Sequence, residues 1–134
     1  MKLKIISVGH KMPNWVEAAC AEYIKRMPRE LVEAEAQRIL KAVNKDYLIA
    51  CDENGAEKTT KQLAAIMQKW QEVGRDVSIV VGGADGLHPS LIKEADWCWS
   101  LSKLTLPHAF VRVLLTEQLY RAYSLNQNHP YHRE

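Results

Sequence analysis

The chain has 134 residues, a length that suits one domain whose core is stable without disulfides or a structural metal. Its 18 lysines and arginines nearly balance its 16 aspartates and glutamates, so the charge neither indicates nor excludes RNA, and any contact needs a local basic patch. Its 3 cysteines are odd in number, widely spaced and without a CxxC pair, so they indicate neither a disulfide framework nor a zinc site, and a reducing cytoplasm is the simplest setting. We expect a single domain over residues 1–134.

Neither a membrane segment nor a metal site is predicted. The apolar run at the N-terminus is too short for a signal peptide, and no apolar stretch approaches membrane-spanning length. None of the 5 histidines lies at ligand spacing from a cysteine or a carboxylate. We therefore expect no metal and no membrane contact.

The first half of the chain alternates strand-like and helix-like segments. Asn14 and Glu17 resemble a capping box at the start of a helix that Pro28 ends. A compact apolar run before Asp52 is typical of a buried strand that leads into a turn. The patterns predict strands over residues 2–8, 31–33 and 47–51, and helices over residues 15–27 and 34–43.

The second half continues the alternation. Thr59 or Thr60 is expected to cap a helix that ends at Gly74. His88 and Pro89 start a short helix, since proline favours the first helical position. The patterns predict a strand over residues 77–81, and a last strand that starts at residue 97 and continues into a loop ending at residue 106. They predict helices from Thr59 or Thr60 to residue 74, over residues 89–95 and over residues 109–123.

The last helix is apolar around most of its circumference, so it must be covered by the rest of the domain or by a second copy of the chain. Strands that alternate with helices imply an α/β fold with a mostly parallel sheet and helices on both faces. Ligands of such sheets bind beyond the carboxyl ends of the strands. Residues 50–52, 82–86 and 101–108 are expected there.

Two of these segments have features of a binding site. The glycines of residues 82–86 would let a ligand approach the backbone, although a plain tight turn explains them as well. They form neither a Rossmann fingerprint nor a P-loop. Residues 101–106 alternate apolar and small polar side chains, which could enclose a purine or could form an edge strand with one wet face.

The last third also holds most of the chemically capable side chains. Glu117 and Arg121 lie four residues apart on the predicted helix, where they form either a surface ion pair or part of a cleft. The tail is either solvated or docked through the ring of Tyr131. The candidates for chemistry are His108, Glu117, Arg121, His129, Tyr131, His132 and Arg133.

Specific motifs along the whole chain resemble one family. It is the family of large-subunit ribosomal RNA methyltransferases that methylate N3 of pseudouridine, within the SPOUT superfamily. The motifs are Val8-Gly-His-Lys-Met-Pro-Asn-Trp15, Gly82-Gly83 with Gly86-Leu87, Trp99-Ser-Leu-Ser102, Leu104-Thr-Leu-Pro-His108, Val111-Arg-Val113, Leu119-Tyr-Arg-Ala122 and Asn128-His-Pro-Tyr-His-Arg-Glu134.

The resemblance implies a C-terminal helix threaded through a loop as a trefoil knot, an exception to the rule that chains are unknotted. It also implies a homodimer whose sites are each completed by the partner chain, and S-adenosyl-L-methionine as the methyl donor. Carried over from the family, the donor-binding positions are Cys51, Gly82, Leu101, Ser102, Lys103, Leu104, Thr105 and Leu106.

The implied reaction transfers a methyl group to an imide nitrogen that is protonated near neutral pH, so the site needs a base or a positive group that stabilises the anion. His108 is the candidate for proton handling, and Arg133 for charge stabilisation or a phosphate contact. Tyr131 and His132 would position the base, and Glu117 would orient a neighbour.

One segment departs from the family pattern. Members carry a longer, lysine- and glycine-rich segment where residues 31–38 run straight on. Two other functions stay open: an RNA-binding module of the same fold without catalysis, and a flavodoxin-like regulatory domain with an unthreaded terminus. Because the net charge is modest, the assembled ribosome is the expected substrate rather than free RNA.

Overall fold

A computed structural model describes residues 1–8, 12–37, 46–82 and 86–132. The described chain forms a five-stranded sheet in which every strand pair is parallel, and its spatial order is β2-β1-β4-β3-β5. This confirms the predicted parallel sheet. The strands are β1 (Leu3–Val8), β2 (Val32–Gln37), β3 (Tyr47–Glu57), β4 (Val77–Val81) and β5 (Trp97–Ser100).

Helices cover both faces of the sheet, as the alternating pattern predicted. They are α1 (Asn14–Ile24), α2 (Thr60–Val73), α3 (Pro89–Glu94) and α4 (His108–Asn126), followed by a short 3-10 helix, Pro130–His132. Of the described helices, none is long and apolar enough to cross a membrane.

Alternating side chains of the central strands fill two cores. Ile5 and Ile79 face the larger core, which α2 and α4 close. Ile6 and Val80 face the smaller one, against Leu91 of α3. Since side chains of a strand point alternately to opposite faces, a strand covered on both sides is mostly apolar. All five residues of β4 are buried, and its polar side chain, Ser78, donates to Asp46 Oδ2 at 2.7 Å.

The long helix α4 lies between α1 and α2 on the larger core. Leu115 and Leu119 have no exposed surface, and Ala109 and Val113 pack against the buried side of α1. The rest of the domain therefore buries much of this helix. Phe110 near its start is 55% exposed, so one face of α4 remains uncovered.

Helix α2 has the ends that its sequence predicted. The Thr59 hydroxyl accepts a hydrogen bond from Gln62 N at 3.1 Å, and the Gln62 side chain accepts one from Thr59 N at 2.9 Å. Gly74 follows the helix with φ of +79°, a left-handed conformation that glycine adopts without strain.

Two predictions for residues before Asp46 are wrong. Residues 34–37 of the predicted helix 34–43 belong to β2, and residues 38–45 lie outside the described part of the chain. Pairing with β1, in which Ile5 lies opposite Ala34, outweighs the local helix propensity. Helix α1 starts without a side-chain cap, because its N-cap residue is Pro13, which has no polar side chain, and not Asn14.

The strand predicted at residues 47–51 begins as expected but does not end in a turn. It continues to Glu57, and its register against β5 shifts so that both Cys51 and Ala56 lie opposite Trp99. Residues 52–55 form the resulting bulge. Gly55 approaches β5 so closely that an added Cβ would lie 2.6 Å from the carbonyl carbon of Cys98.

We predict that Gly55→Ala destabilises the fold by about 2–3 kcal/mol, because the new methyl group would overlap backbone atoms that cannot rotate away. Urea unfolding measures the change. Asn54→Ala is the matched control, since the neighbouring side chain is exposed. Equal stability of the two variants would show that the β5 backbone moves freely at this point.

Candidate active site

A cavity of about 570 Å³ opens where β3, β4 and β5 end. This is the edge at which a parallel α/β sheet binds its ligands. The lining residues come from the three strand ends, the loop after β5 and the start of α4. They are Cys51, Asp52, Glu53, Val81, Gly82, Gly86, Leu87, Trp99, Ser100, Leu101, Ser102, Leu104, Leu106, Pro107, His108 and Val111.

The bulge in β3 shapes the first wall. It turns Asp52 and Glu53 into the cavity lining and leaves Trp99 of β5 opposite both flanking residues. Trp99 is only 2% exposed, and its indole Nε1 has no hydrogen-bond acceptor among the described residues. A buried N–H without an acceptor is costly, so this donor is available to a ligand or a water molecule.

Gly82 shapes the second wall. A Cβ at this position would lie 2.7 Å from the carbonyl carbon of Gly86, so the segment closes on itself only with glycine here. Gly86 has φ of +75°, which also favours glycine. Gly82 and Gly86 therefore lie in close backbone contact, and both also line the cavity. Residues 83–85 between them lie outside the described part of the chain.

The loop after β5 forms the third wall. The Ser100 hydroxyl donates to the Ser102 carbonyl at 2.8 Å, and the Ser102 hydroxyl accepts from Leu104 N at 2.9 Å. These short-range bonds hold the loop in place without a strand partner. Of the two open interpretations of residues 101–106, the structure excludes the edge strand, because β5 ends at Ser100.

Helix α4 begins at the cavity. Pro107 precedes the first helical residue, His108, and both line it. The first N–H groups of any helix have no intrahelical partner and favour negative charge nearby. His108 therefore combines a titratable ring with a backbone environment suited to an anion.

Cys51 contributes a neutral wall. Burial raises the pKa of its thiol to about 12, because the thiolate would lose its hydration. The side chain is therefore a thiol throughout the physiological range. It offers a soft apolar surface rather than a nucleophile.

Side chains of α4 and of the following 3-10 helix form a separate cluster. The Tyr131 hydroxyl donates to Glu117 Oε2 at 2.9 Å, and Arg121 Nε donates to the same oxygen at 3.0 Å. The Arg121 Cζ atom lies 4.8 Å from the centroid of the Tyr131 ring, which also packs on Tyr120 at 4.6 Å. The tail is thus docked through Tyr131, and the Glu117–Arg121 pair is partly buried.

The environment of this cluster keeps Tyr131 protonated. Burial, followed by the hydrogen bond to the Glu117 carboxylate, raises the pKa of Tyr131 above its usual range. A neutral hydroxyl that already donates to a carboxylate can orient a ligand but cannot act as a base.

Six of the predicted donor-binding residues meet at the cavity, together with His108. Lys103 and Thr105 do not line it: both are exposed, and the Lys103 ammonium lies 3.9 Å from Glu57. Glu117 and Tyr131 are not among the lining residues either. Arg133 and the side chain of His132 lie outside the described part of the chain. The six that meet are Cys51, Gly82, Leu101, Ser102, Leu104 and Leu106.

Sequence reasoning did not select several of the lining residues. Asp52 belongs to the segment 50–52 that was expected at this edge, but Glu53 was not singled out, although charged residues directly after a buried strand are a signal for this edge. Trp99 was singled out only within the motif Trp99-Ser-Leu-Ser102, and no sequence pattern shows that its N–H lacks an acceptor among the described residues. Within the described ranges, no group of three histidine, cysteine, aspartate or glutamate side chains could hold a metal ion.

Comparisons with known proteins agree with this architecture. Residues 29–132 match the sequence profile of a family described as predicted SPOUT methyltransferase. The ribosomal RNA large subunit methyltransferase H of Methylobacillus flagellatus is 59% identical and is covered over 100% of both chains. The protein of the same name from Burkholderia mallei is 49% identical over 99% of both chains.

Solved structures show the same fold at low sequence identity. A probable methylase family protein from Haemophilus influenzae superposes with a TM-score of 0.65 and 13% identity, over 97% of this chain and 69% of that one. A probable methyltransferase from Bordetella pertussis gives 0.59 and 15%, over 90% and 95%. At these identities the likeness concerns the fold alone.

The sequence relatives and the fold define the class of protein, and it is a methyltransferase. The chain belongs to the SPOUT methyltransferase family, together with relatives named ribosomal RNA large subunit methyltransferase H. The alignment to the Methylobacillus protein is 155 residues long and includes the whole of this 134-residue chain. That relative therefore has residues without a counterpart here, which agrees with the short segment noted after Leu31.

We predict that Cys51 resists alkylation because its thiol stays protonated. In a Cys20→Ala, Cys98→Ala chain, the rate with iodoacetamide at pH 8 should be about a thousandfold below that of a cysteine in a short peptide. The rate should keep rising about tenfold per pH unit up to pH 10, where the peptide control has levelled off. A plateau below pH 9 would contradict the raised pKa, because poor access alone slows the reaction without moving its midpoint.

Proposed function

We propose that this methyltransferase uses S-adenosyl-L-methionine to methylate N3 of a pseudouridine in large-subunit ribosomal RNA. The observation that carries the proposal is the convergence of six donor-binding positions of the family on one cavity, with His108 at its rim. The name that the two sequence relatives share, ribosomal RNA large subunit methyltransferase H, supports the substrate class.

The residues that line the cavity fit this donor. The volume of about 570 Å³ lies within the range of small-molecule sites. Leu101, Leu104 and Leu106 provide apolar surface for a purine ring. The Trp99 N–H, which has no acceptor among the described residues, provides a hydrogen-bond donor. The carboxylates of Asp52 and Glu53 suit the hydroxyl groups of a ribose or a positive charge.

When bound, S-adenosyl-L-methionine supplies an electrophilic methyl group on a positively charged sulfur. The protein's task is to prepare the nucleophile. His108 would accept the N3 proton of the base, and the N–H groups at the start of α4 would stabilise the negative charge of the resulting imide. The N3–H bond would break toward the imidazole of His108, which would leave the nitrogen electron pair free to take the methyl group that the bound cofactor would supply.

The tail residues would act on the partner's site. Glu117 follows His108 by nine positions, which corresponds to about 13 Å along an α-helix. Tyr131 is bound to Glu117 and lies off the cavity lining of its own chain. We therefore propose a homodimer in which Tyr131, His132 and Arg133 of one chain complete the site of the other. Arg133 would stabilise the imide anion or contact an RNA phosphate.

An exposed aromatic pair supports this dimer. Trp15 of α1 is 50% exposed and Phe110 of α4 is 55% exposed, with ring centroids 5.4 Å apart. Aromatic side chains are enriched at protein interfaces, and the pair lies on the uncovered side of α4, two residues after His108. The proposed setting is the cytoplasm, on the assembled ribosome, and the proposed chain path is the trefoil knot of the family.

We predict that the protein transfers a labelled methyl group from S-adenosyl-L-methionine to ribosomes that contain the pseudouridine, and not to ribosomes that lack it. Mass spectrometry of the digested RNA should locate one methyl group on N3 of that nucleoside. Isolated subunits and free RNA, tested alongside, identify the assembly state that the enzyme requires. If calorimetry detected RNA binding but no affinity for the methyl donor, the chain would be an RNA-binding module without catalysis.

The composite site predicts complementation between two inactive variants. His108→Ala and Arg133→Ala should each reduce single-turnover methylation strongly. Coexpressed, they form mixed dimers in which one of the two sites has both side chains, so about a quarter of wild-type activity should return. No recovery would place Arg133 in the same site as its own His108. If His108→Ala alone kept full single-turnover activity, the assignment of proton transfer would be wrong.

A further inference from the structure

Arg112 is a buried cation without an anionic partner in the described part of the chain. It lies in the second turn of α4 and is only 4% exposed. Its Nη1 donates to the Ser7 hydroxyl, which is neutral, and its Nε has no acceptor among the described residues. Its backbone carbonyl accepts from the Thr116 hydroxyl at 2.8 Å, which holds the helix but not the charge.

Such an arrangement is unfavourable for the fold alone. A guanidinium that leaves water loses strong hydration, and one hydroxyl does not replace it. Buried charges in proteins are normally paired with an opposite charge or serve a ligand. An apolar residue at position 112 would suit the surrounding core better. Since no carboxylate of the described residues pairs with Arg112, an anion from outside them would offset this cost.

Arg112 lies directly behind the wall of the cavity. His108 is one helical turn earlier on the same face of α4, and Val111 precedes Arg112 in the chain. Both of these residues line the cavity. Its partner Ser7 lies opposite Val81 in the β1–β4 register, and Val81 also lines the cavity. Arg112 and Ser7 are thus each adjacent to residues that line the cavity, Arg112 along helix α4 and Ser7 across the sheet from β4.

We propose that Arg112, supported by Ser7, binds the carboxylate of the methyl donor. This rests on the proposed use of S-adenosyl-L-methionine, whose amino-acid end carries that carboxylate. A guanidinium offers a planar fork of donors that matches a carboxylate, and its long stem allows a rotamer change toward the cavity. The phosphates of a folded RNA remain at the protein surface, whereas Arg112 lies in the interior of the chain. The carboxylate of the small methyl donor is therefore a better partner for Arg112 than an RNA phosphate.

The test compares two ligands that differ in the carboxylate alone. They are S-adenosylhomocysteine and its decarboxylated analogue, which keeps the adenosine, the sulfur and the amine. Calorimetry should show that the native protein prefers the carboxylate ligand by about tenfold to a hundredfold, the usual effect of a hydrogen-bonded charge pair. In Arg112→Gln the two affinities should become equal within about threefold.

Three further variants make the result specific. Lys69→Gln removes one positive charge from an exposed position of α2 and should keep the native preference. Ser7→Ala should reduce the preference less than Arg112→Gln does, because the guanidinium remains. Arg112→Lys keeps the charge but not the fork, so it should retain part of the preference. The ratio of the two affinities within one variant is insensitive to the fraction of unfolded protein.

The outcomes separate this inference from the proposed function. If the native protein bound neither ligand, the proposed function itself would fail. If it bound both equally, or if Arg112→Gln kept the native preference, the donor carboxylate would not be the partner of Arg112, although the function would stand. A dimer that dissociated in Arg112→Gln, with an unchanged preference, would assign the anion to a second copy of the chain and would likewise overturn the inference.

Discussion

The contact between Gly55 and the backbone of β5 determines the shape of the site. Parallel strands normally keep one register, but here two residues of β3, Cys51 and Ala56, lie opposite Trp99. The four residues between them bulge outward, and only a glycine allows the two backbones to approach at this point. This local irregularity moves the acidic pair Asp52 and Glu53 to the cavity and fixes the position of the Trp99 indole. The cavity is therefore built by a departure from regular sheet geometry.

How much the sequence predicts depends on whether a pattern is local. The Thr59 cap and the left-handed Gly74 are set by neighbours within a few residues, so both were predicted. Strand β2 consists largely of helix-forming residues. It is nevertheless a strand, because it pairs with β1, which lies more than 20 residues earlier in the chain. The bulge of β3 likewise depends on β5, more than 40 residues later, and no local pattern shows it.

The same distinction applies to the site. Glycines after a strand and an alternating loop indicated the correct edge, because the topology of parallel sheets makes strand ends meet. Which side chains of that loop turn inward was not predictable, and Lys103 and Thr105 turn outward. The buried charge of Arg112 was invisible as well, since its motif, Val111-Arg-Val113, reads equally well as a helix with one exposed basic residue.

Stability and binding are assigned to largely different residues. Ile5, Ile49 and Ile79 fill the centre of the sheet with no exposed surface and are not among the residues that line the cavity. Trp99 and Arg112 are exceptions, since each is buried and each has a polar nitrogen without a partner in the ranges that the structure describes. Both nitrogens weaken the free protein, because buried donors lose their bonds to water. A ligand that satisfies either one binds the folded state alone and so raises its stability by mass action. The binding free energy then includes the recovery of the stability that the free protein lost by burying these donors. This gain on binding is a physical reason for a protein core to retain such groups.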